Sequence, residues 1–276
     1  MSHAKNEIAW AILPKFGAVL SITSSFFLAR DVYIKHRQHM TKHDAIKIPL
    51  TSAMLFQISI NDIFGSFFSY FMSTWMMPIG TAPFAVGNQA TCDAQGYFTT
   101  FHFIYFVTAY TELALLYWLI VKRGWSDDRW SIKALFGVPP ILISFALSLI
   151  PIFTEMYNPA RIHCFINPYP VGCAADGDAS DCIRGGNNTQ LLQNVTFAYA
   201  LACNLIIIIF MGLLVFVVYS QEKKGDKYIA KGQAKKRDNT IDTAWQGVRY
   251  TGAFILAYLT VYIFMVSEHI DYTLDL

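Results

Sequence analysis

Residues 195–219 read VTFAYALACNLIIIIFMGLLVFVVY, without one charged side chain. A helix rises ~1.5 Å per residue and the hydrocarbon core of a bilayer is ~30 Å thick, so about 20 apolar residues suffice to cross it. The stretch is longer than that. It far exceeds an ordinary strand and lacks the strict alternation of a barrel strand, so it reads as a transmembrane helix.

Five more stretches of the same kind lie on either side, at 8–29, 50–75, 95–121, 134–153 and 250–266. The whole chain agrees: of its 276 residues 54% are hydrophobic and 14% charged, against roughly 25% charged in a soluble domain. So little polar surface cannot coat a water-soluble globule. A net charge of +2 gives no basis for nucleic-acid binding. The expected fold class is all-α, a polytopic bundle of six transmembrane helices forming one domain over residues 1–276.

Lys and Arg set the orientation. The first, third and fifth connections carry five, four and eight of them, 17 of the 21 in the chain. These connections are expected in the cytoplasm, the N-terminus outside, and the protein in the plasma membrane. The first span is too long for the apolar part of a cleavable signal peptide and is expected to be retained. Cys92, Cys164, Cys173 and Cys182 then fall in outward segments, with Cys203 inside the fifth span. An even number on the oxidising side suggests two disulfides, with three connectivities open. Two glycosylation sequons begin at Asn187 and Asn194 in the same outer loop.

Three ionisable groups lie deep in the spans: Lys15, Asp62 and Glu112. Each costs roughly 2.5–3.5 kcal/mol on insertion scales, so they belong in a bundle interior or a water-filled cavity. They read either as an ion, proton or activation switch, or as a snorkelling Lys with neutral, hydrogen-bonded carboxyls. Lys15 and Asp62 sit on consecutive antiparallel spans about one turn apart in depth. They are expected to pair, or to share a polar layer with Glu112, because pairing lowers the cost of burial. His102 and Tyr105, in the outer half of the third span, are candidates for lining a small-molecule pocket between helices, with aromatic packing as the plainer alternative. His36, His39 and His43 recur at helical spacing, but no Cys, Asp or Glu completes a metal shell at matching spacing. Phosphate loops, dinucleotide glycine runs and hydrolase signatures are missing. No enzyme, cofactor, catalytic residue or metal site is expected.

Residues 87–98, GNQATCDAQGYF, resemble the corresponding segment of G-protein-coupled receptors of the cyclic-AMP-receptor-like group found in slime moulds and algae. Ser73-Thr74-Trp75-Met76-Met77-Pro78 and Leu116-Tyr117-Trp118-Leu119-Ile120-Val121 support the likeness. So does Cys164-Phe165-Ile166, which is similar to that family's Cys-aromatic-Ile element. The resemblance implies a small extracellular ligand held near His102 and Tyr105 beneath a lid of residues 155–194. It also implies a heterotrimeric G protein meeting Lys122, Arg123, Lys223 and Lys224. By the same analogy Cys92 pairs with Cys164, leaving Cys173 for Cys182, with Cys182 the alternative partner of Cys92. There are two departures. Val121-Lys122-Arg123-Gly124-Trp125 replaces the rhodopsin-like Asp/Glu-Arg-Tyr element, and six spans are read where the family has seven. The second departure implies weak or no coupling by this chain alone and a need for assembly with another receptor. The competing reading is a six-helix transporter, channel or membrane scaffold. A transporter predicts an internal repeat, and none links 1–125 to 126–276, although Pro139-Pro140 interrupts one span.

Overall fold

Ser2–Met40 forms the first helix, α1, which runs through Pro14 without a break. The computed structural model describes residues 2–40, 50–123, 130–160, 162–170, 173, 181–186 and 188–225. Beyond α1 these contain α2 (Leu50–Ser66), α3 (Gln89–Arg123), α4 (Trp130–Gly137), α5 (Pro139–Phe153) and α6 (Asn188–Gly225), with two short strands, β1 (Tyr157–Pro159) and β2 (Cys164–Ile166). Four helical segments, Ala11–Ile34, Gln89–Arg123, Ala134–Phe153 and Asn188–Ser220, are long and apolar enough to cross a membrane. The sixth expected span, 250–266, lies outside the described residues.

The second expected span, 50–75, is not one continuous helix. α2 ends at Ser66 and gives way to a π-helical turn, Phe67–Phe71, and a 3₁₀ turn, Ser73–Met76. Ser73, at the junction, is held at φ 28°. That left-handed conformation is costly for a residue with a Cβ and persists only where its surroundings over-determine it. The span at 134–153 is divided as well. α4 stops at Gly137, and Pro139 and Pro140 open α5, where their missing N–H groups cost nothing. α5 closes with Met156 N–H on Pro151 O (2.8 Å) and Glu155 N–H on Ile152 O (3.3 Å). Glu155 at φ 53° completes this left-handed cap. The reversal delivers the chain into an antiparallel hairpin in which Tyr157 faces Ile166 and Pro159 faces Cys164.

The helices bury small residues and expose large apolar ones. α1 buries Ala11, Ala18 and Ala29 while presenting Leu13, Phe16, Leu20 and Phe26 outward. α2, which packs against α1, differs in burying Leu50, Met54 and Ile58, four residues apart and so on one face. α5 buries Pro140, Ser144, Ser148 and Pro151 and exposes Leu142, Phe145 and Phe153. In water this order would be unfavourable. In lipid it is expected, because tails are as apolar as Leu and helices associate by close backbone approach at small residues. This is an integral membrane protein.

The described residues divide into two units. One takes residues up to 109 together with 130–200, and it holds α1, α2, α4, α5, the hairpin and the N-terminal parts of α3 and α6. The other takes 110–123 and 201–225. In it Leu113, Leu116 and Leu119 of α3 and Cys203, Ile207 and Leu214 of α6 are buried. Trp118 lies 5.7 Å from Phe210, centroid to centroid.

Ala18→Leu should overpack the α1–α2 contact and cost about 1–3 kcal/mol. Leu20→Ala, on a face 72% exposed, should leave the unfolding midpoint of the protein in lipid nanodiscs nearly unchanged. Thermal unfolding followed by circular dichroism checks both.

Candidate functional site

The N-terminal start of α3 is built by residues 87–98. Asn88 Oδ1 accepts the Thr91 N–H (3.0 Å) and Thr91 Oγ accepts the Asn88 N–H (2.8 Å), a reciprocal cap that fixes where the helix begins. The Thr91 hydroxyl also donates to Met76 O (2.7 Å), holding the preceding loop against this cap. Within the next turn comes Cys92, fully buried with Met77 and Cys164. Cys92 and Cys164 form a disulfide with their Cα atoms 5.3 Å apart, and a second disulfide joins Cys173 to Cys182. These are the pairs the resemblance implied.

Gln95, three residues beyond Cys92 and 0% exposed, spends its whole amide on backbone. Nε2 donates to Phe68 O (3.0 Å) and Ser73 O (2.8 Å), and Oε1 accepts the Cys164 N–H (2.9 Å). At Gly96 a Cβ would collide with the Tyr157 ring, so only glycine lets β1 lie against α3. The Tyr157 hydroxyl donates to Ser148 O (2.8 Å) on α5. Gln89 Nε2 donates to Tyr157 O (2.9 Å) and to Asp93 (2.8 Å), and Asp93 pairs with Arg184 (3.0 Å). Almost every side chain of the block therefore ties the hairpin, the helix break or the neighbouring loop to α3.

Lys15 belongs to this assembly and not to Asp62. Its Nζ donates to Phe71 O (3.1 Å) and to the Ser73 hydroxyl, and lies 4.2 Å from the centre of the Trp75 ring. The expected Lys15–Asp62 pair is absent. The broken helix explains it. A helix end leaves carbonyls unpaired and carries a partial negative charge, which attracts a cation, whereas an unbroken second helix would have left Lys15 without such a partner.

Asp62 is held by hydroxyls. Ser21 (2.7 Å) and Ser25 (2.6 Å), one turn apart on α1, both donate to Oδ2, and Ser66 donates to Oδ1 at 3.4 Å. His102 of α3 reaches in from the other side, with Nε2 3.9 Å from Asp62 Oδ1 and Nδ1 3.0 Å from Asn61 Nδ2. Its ring fits because position 65 is glycine, where a Cβ would run into the imidazole. No Lys or Arg among the described residues pairs with Asp62. No three His, Cys, Asp or Glu residues among the described residues are grouped to hold a metal.

Of the other candidate residues, Tyr105 is buried in a ring stack with Phe101 (6.0 Å) that continues to Tyr97 (6.2 Å). His102 is turned to α2. Glu112 belongs to the second unit, where its Oε2 is buried with no hydrogen-bond partner among the described residues. Lys122 and Arg123 are exposed in the last turn of α3, and Lys223 is exposed on α6. Asn194 is exposed within α6, where the Thr196 hydroxyl donates to Leu192 O (2.8 Å). Asn187 and the side chain of Lys224 lie outside the described residues.

Models of known protein families do not match this chain, and no curated protein matches it either. The site rests on its own chemistry. Sequence reasoning had passed over Gln95, Gly65, Asn61, Ser21 and Ser25. The available signal was spacing: Ser21 and Ser25, Asn61 and Gly65, and Asp62 and Ser66 are each four residues apart, which puts polar or small residues on one helix face.

Above the site, His163 packs against Tyr70 (5.7 Å) and Phe165 (6.0 Å), and its Nδ1 is buried without a hydrogen-bond partner among the described residues. Burial pushes its pKa down to about 4. The same cause raises the Tyr157 phenol.

Gln95→Leu should strand two carbonyls and one N–H, each worth about 1–3 kcal/mol, and should sharply lower the unfolding midpoint and the surface yield. His163 supplies a pH test. The ring is neutral in the fold but charges in the unfolded chain below about 6.5. Its contribution is therefore complete above about 6.5 and is lost as pH falls toward about 4. The loss should reach about 3 kcal/mol at most, and His163→Phe should flatten this slope in unfolding midpoints measured across the range.

Proposed function

We propose that this chain is a receptor-type membrane protein of the cyclic-AMP-receptor-like group, sensing a small extracellular ligand and signalling through a heterotrimeric G protein. One observation carries the reading: the Cys92–Cys164 disulfide, with Gln95 beside it, anchors an outer hairpin to the start of a long transmembrane helix. A lid fixed in this way can transmit an outer binding event to the helices beneath it, provided the ligand favours one helix arrangement over another. Six spans, an extracellular N-terminus and a plasma-membrane location are part of the proposal. The exposed basic ends of α3 and α6, with Lys122, Arg123 and Lys223, offer a surface for the G protein. Assembly with a second receptor completes the reading.

The second reading is a transporter. Its support is the interrupted second span, since discontinuous helices with exposed carbonyls are where many transporters bind substrate and ions.

In nanodiscs the protein, reconstituted together with a second receptor of the same cell, should speed nucleotide exchange on a purified heterotrimeric G protein, with cyclic AMP and related small metabolites as first probes. The double variant Lys122→Ala, Arg123→Ala should reduce that exchange several-fold without moving the unfolding midpoint. Absence of any exchange, together with solute flux through liposomes holding the purified protein, would replace the receptor reading by the transporter one.

A further inference from the structure

Asp62 lies among hydroxyls, with Ser21, Ser25 and Ser66 donating to its two oxygens. A desolvated anion needs a positive charge nearby, and Lys15, the cation expected to supply it, is engaged with Phe71 O and Ser73. What faces Asp62 instead is an imidazole, His102 Nε2 at 3.9 Å from Oδ1. The Tyr70 phenol is the other titratable group within electrostatic reach of Asp62.

The far side of the His102 ring meets the Asn61 amide, 3.0 Å from Nδ1. An amide can present either its NH₂ or its oxygen. With the NH₂ presented, Nδ1 accepts and the single ring proton sits on Nε2, toward Asp62. With the amide turned over, Nδ1 carries a proton as well and donates it to Asn61 Oδ1. Both N–H groups of the charged ring would then have an acceptor, Asn61 on one side and Asp62 on the other.

We propose that His102, Asp62 and Asn61 form a binding site for a single proton inside the membrane. A hydronium ion gives up one O–H bond and leaves as water, and His102 Nδ1 gains one N–H bond through its lone pair. No oxidation state changes, and an anion beside a neutral ring becomes an imidazolium–carboxylate pair. A charge-assisted hydrogen bond closes to ~2.8 Å, so protonation draws Nε2 toward Oδ1 by about 1 Å, and because the ring already lies where a Cβ of residue 65 would be, that pull bears on α2 itself. Proton occupancy and the spacing of α2 and α3 are thereby coupled. The proposal does not depend on the receptor reading.

The test uses the full chain in neutral-lipid nanodiscs with ¹⁵N-labelled histidine. The His102 signals are assigned by their loss in His102→Gln and followed through the range in which histidine titrates, while infrared spectra monitor protonated carboxyl. The expected result is a second ring proton on His102 with no carboxyl band lost in Asp62→Asn, and a midpoint that stays put when sodium is replaced by choline. Asp62→Asn and, separately, Asn61→Leu should each lower the proton affinity of His102 at least tenfold, about one pH unit. If Asp62→Asn does not fold, Asn61→Leu serves alone. A ring that keeps one proton throughout overturns the proposal, as does a midpoint unmoved by the folded variants. A proton found on Asp62 also overturns it, and a midpoint that follows sodium concentration gives the site to a metal cation instead.

Discussion

The side-chain amide of Gln95 satisfies three backbone groups from three separate places in the chain: Phe68 O, Ser73 O and Cys164 N–H. A lipid-embedded helix cannot leave carbonyls unpaired, because no water is available to solvate them. The second span can therefore break at Ser66 only if something supplies donors to the freed groups. Gln95 supplies two of them and Lys15 a third, at Phe71 O. The break, the depth of Lys15 and the seating of the hairpin on α3 all follow from that one requirement.

The disulfide beside Gln95 works on a different term. It restricts the unfolded chain by joining residues 72 apart in sequence. Gln95 acts in the folded state, setting the register in which β2 approaches α3. Cys164 takes part in both through neighbouring atoms, its sulfur in the covalent bond and its N–H in the hydrogen bond. The hairpin is consequently held at the first turns of α3, and Tyr157 locks its other strand between Gly96 and Ser148 O.

Deeper in the same unit the problem is charge. Burying Asp62 beside three hydroxyls and an imidazole, with the obvious cation used elsewhere, leaves a site whose electrostatic balance responds to a single positive charge. Its walls are short side chains from three helices. Serines on α1, a glycine and an asparagine on α2, and one histidine on α3 permit an approach that bulkier residues would prevent.

What the sequence determined by itself was membrane insertion, the position of most spans and the segments that carry the cysteines. These depend on the length and polarity of contiguous stretches, which are local properties; residues 195–219 declare themselves without reference to any partner. The cap of α3 is local in its chemistry too, as Asn88 and Thr91 satisfy each other, but it starts the helix at Gln89, ahead of the expected span at 95–121. Only the tertiary structure decided where the second span breaks, why Lys15 turns to Phe71 and Ser73, and which side chain faces Asp62. Each of those depends on the rotation of one helix against another. Depth along the membrane brought Lys15 and Asp62 within a turn of each other, but the face each helix turns to its neighbour gave Asp62 to Ser21, Ser25 and His102. Periodicity within one helix shows which residues share a face, and only packing shows what that face meets.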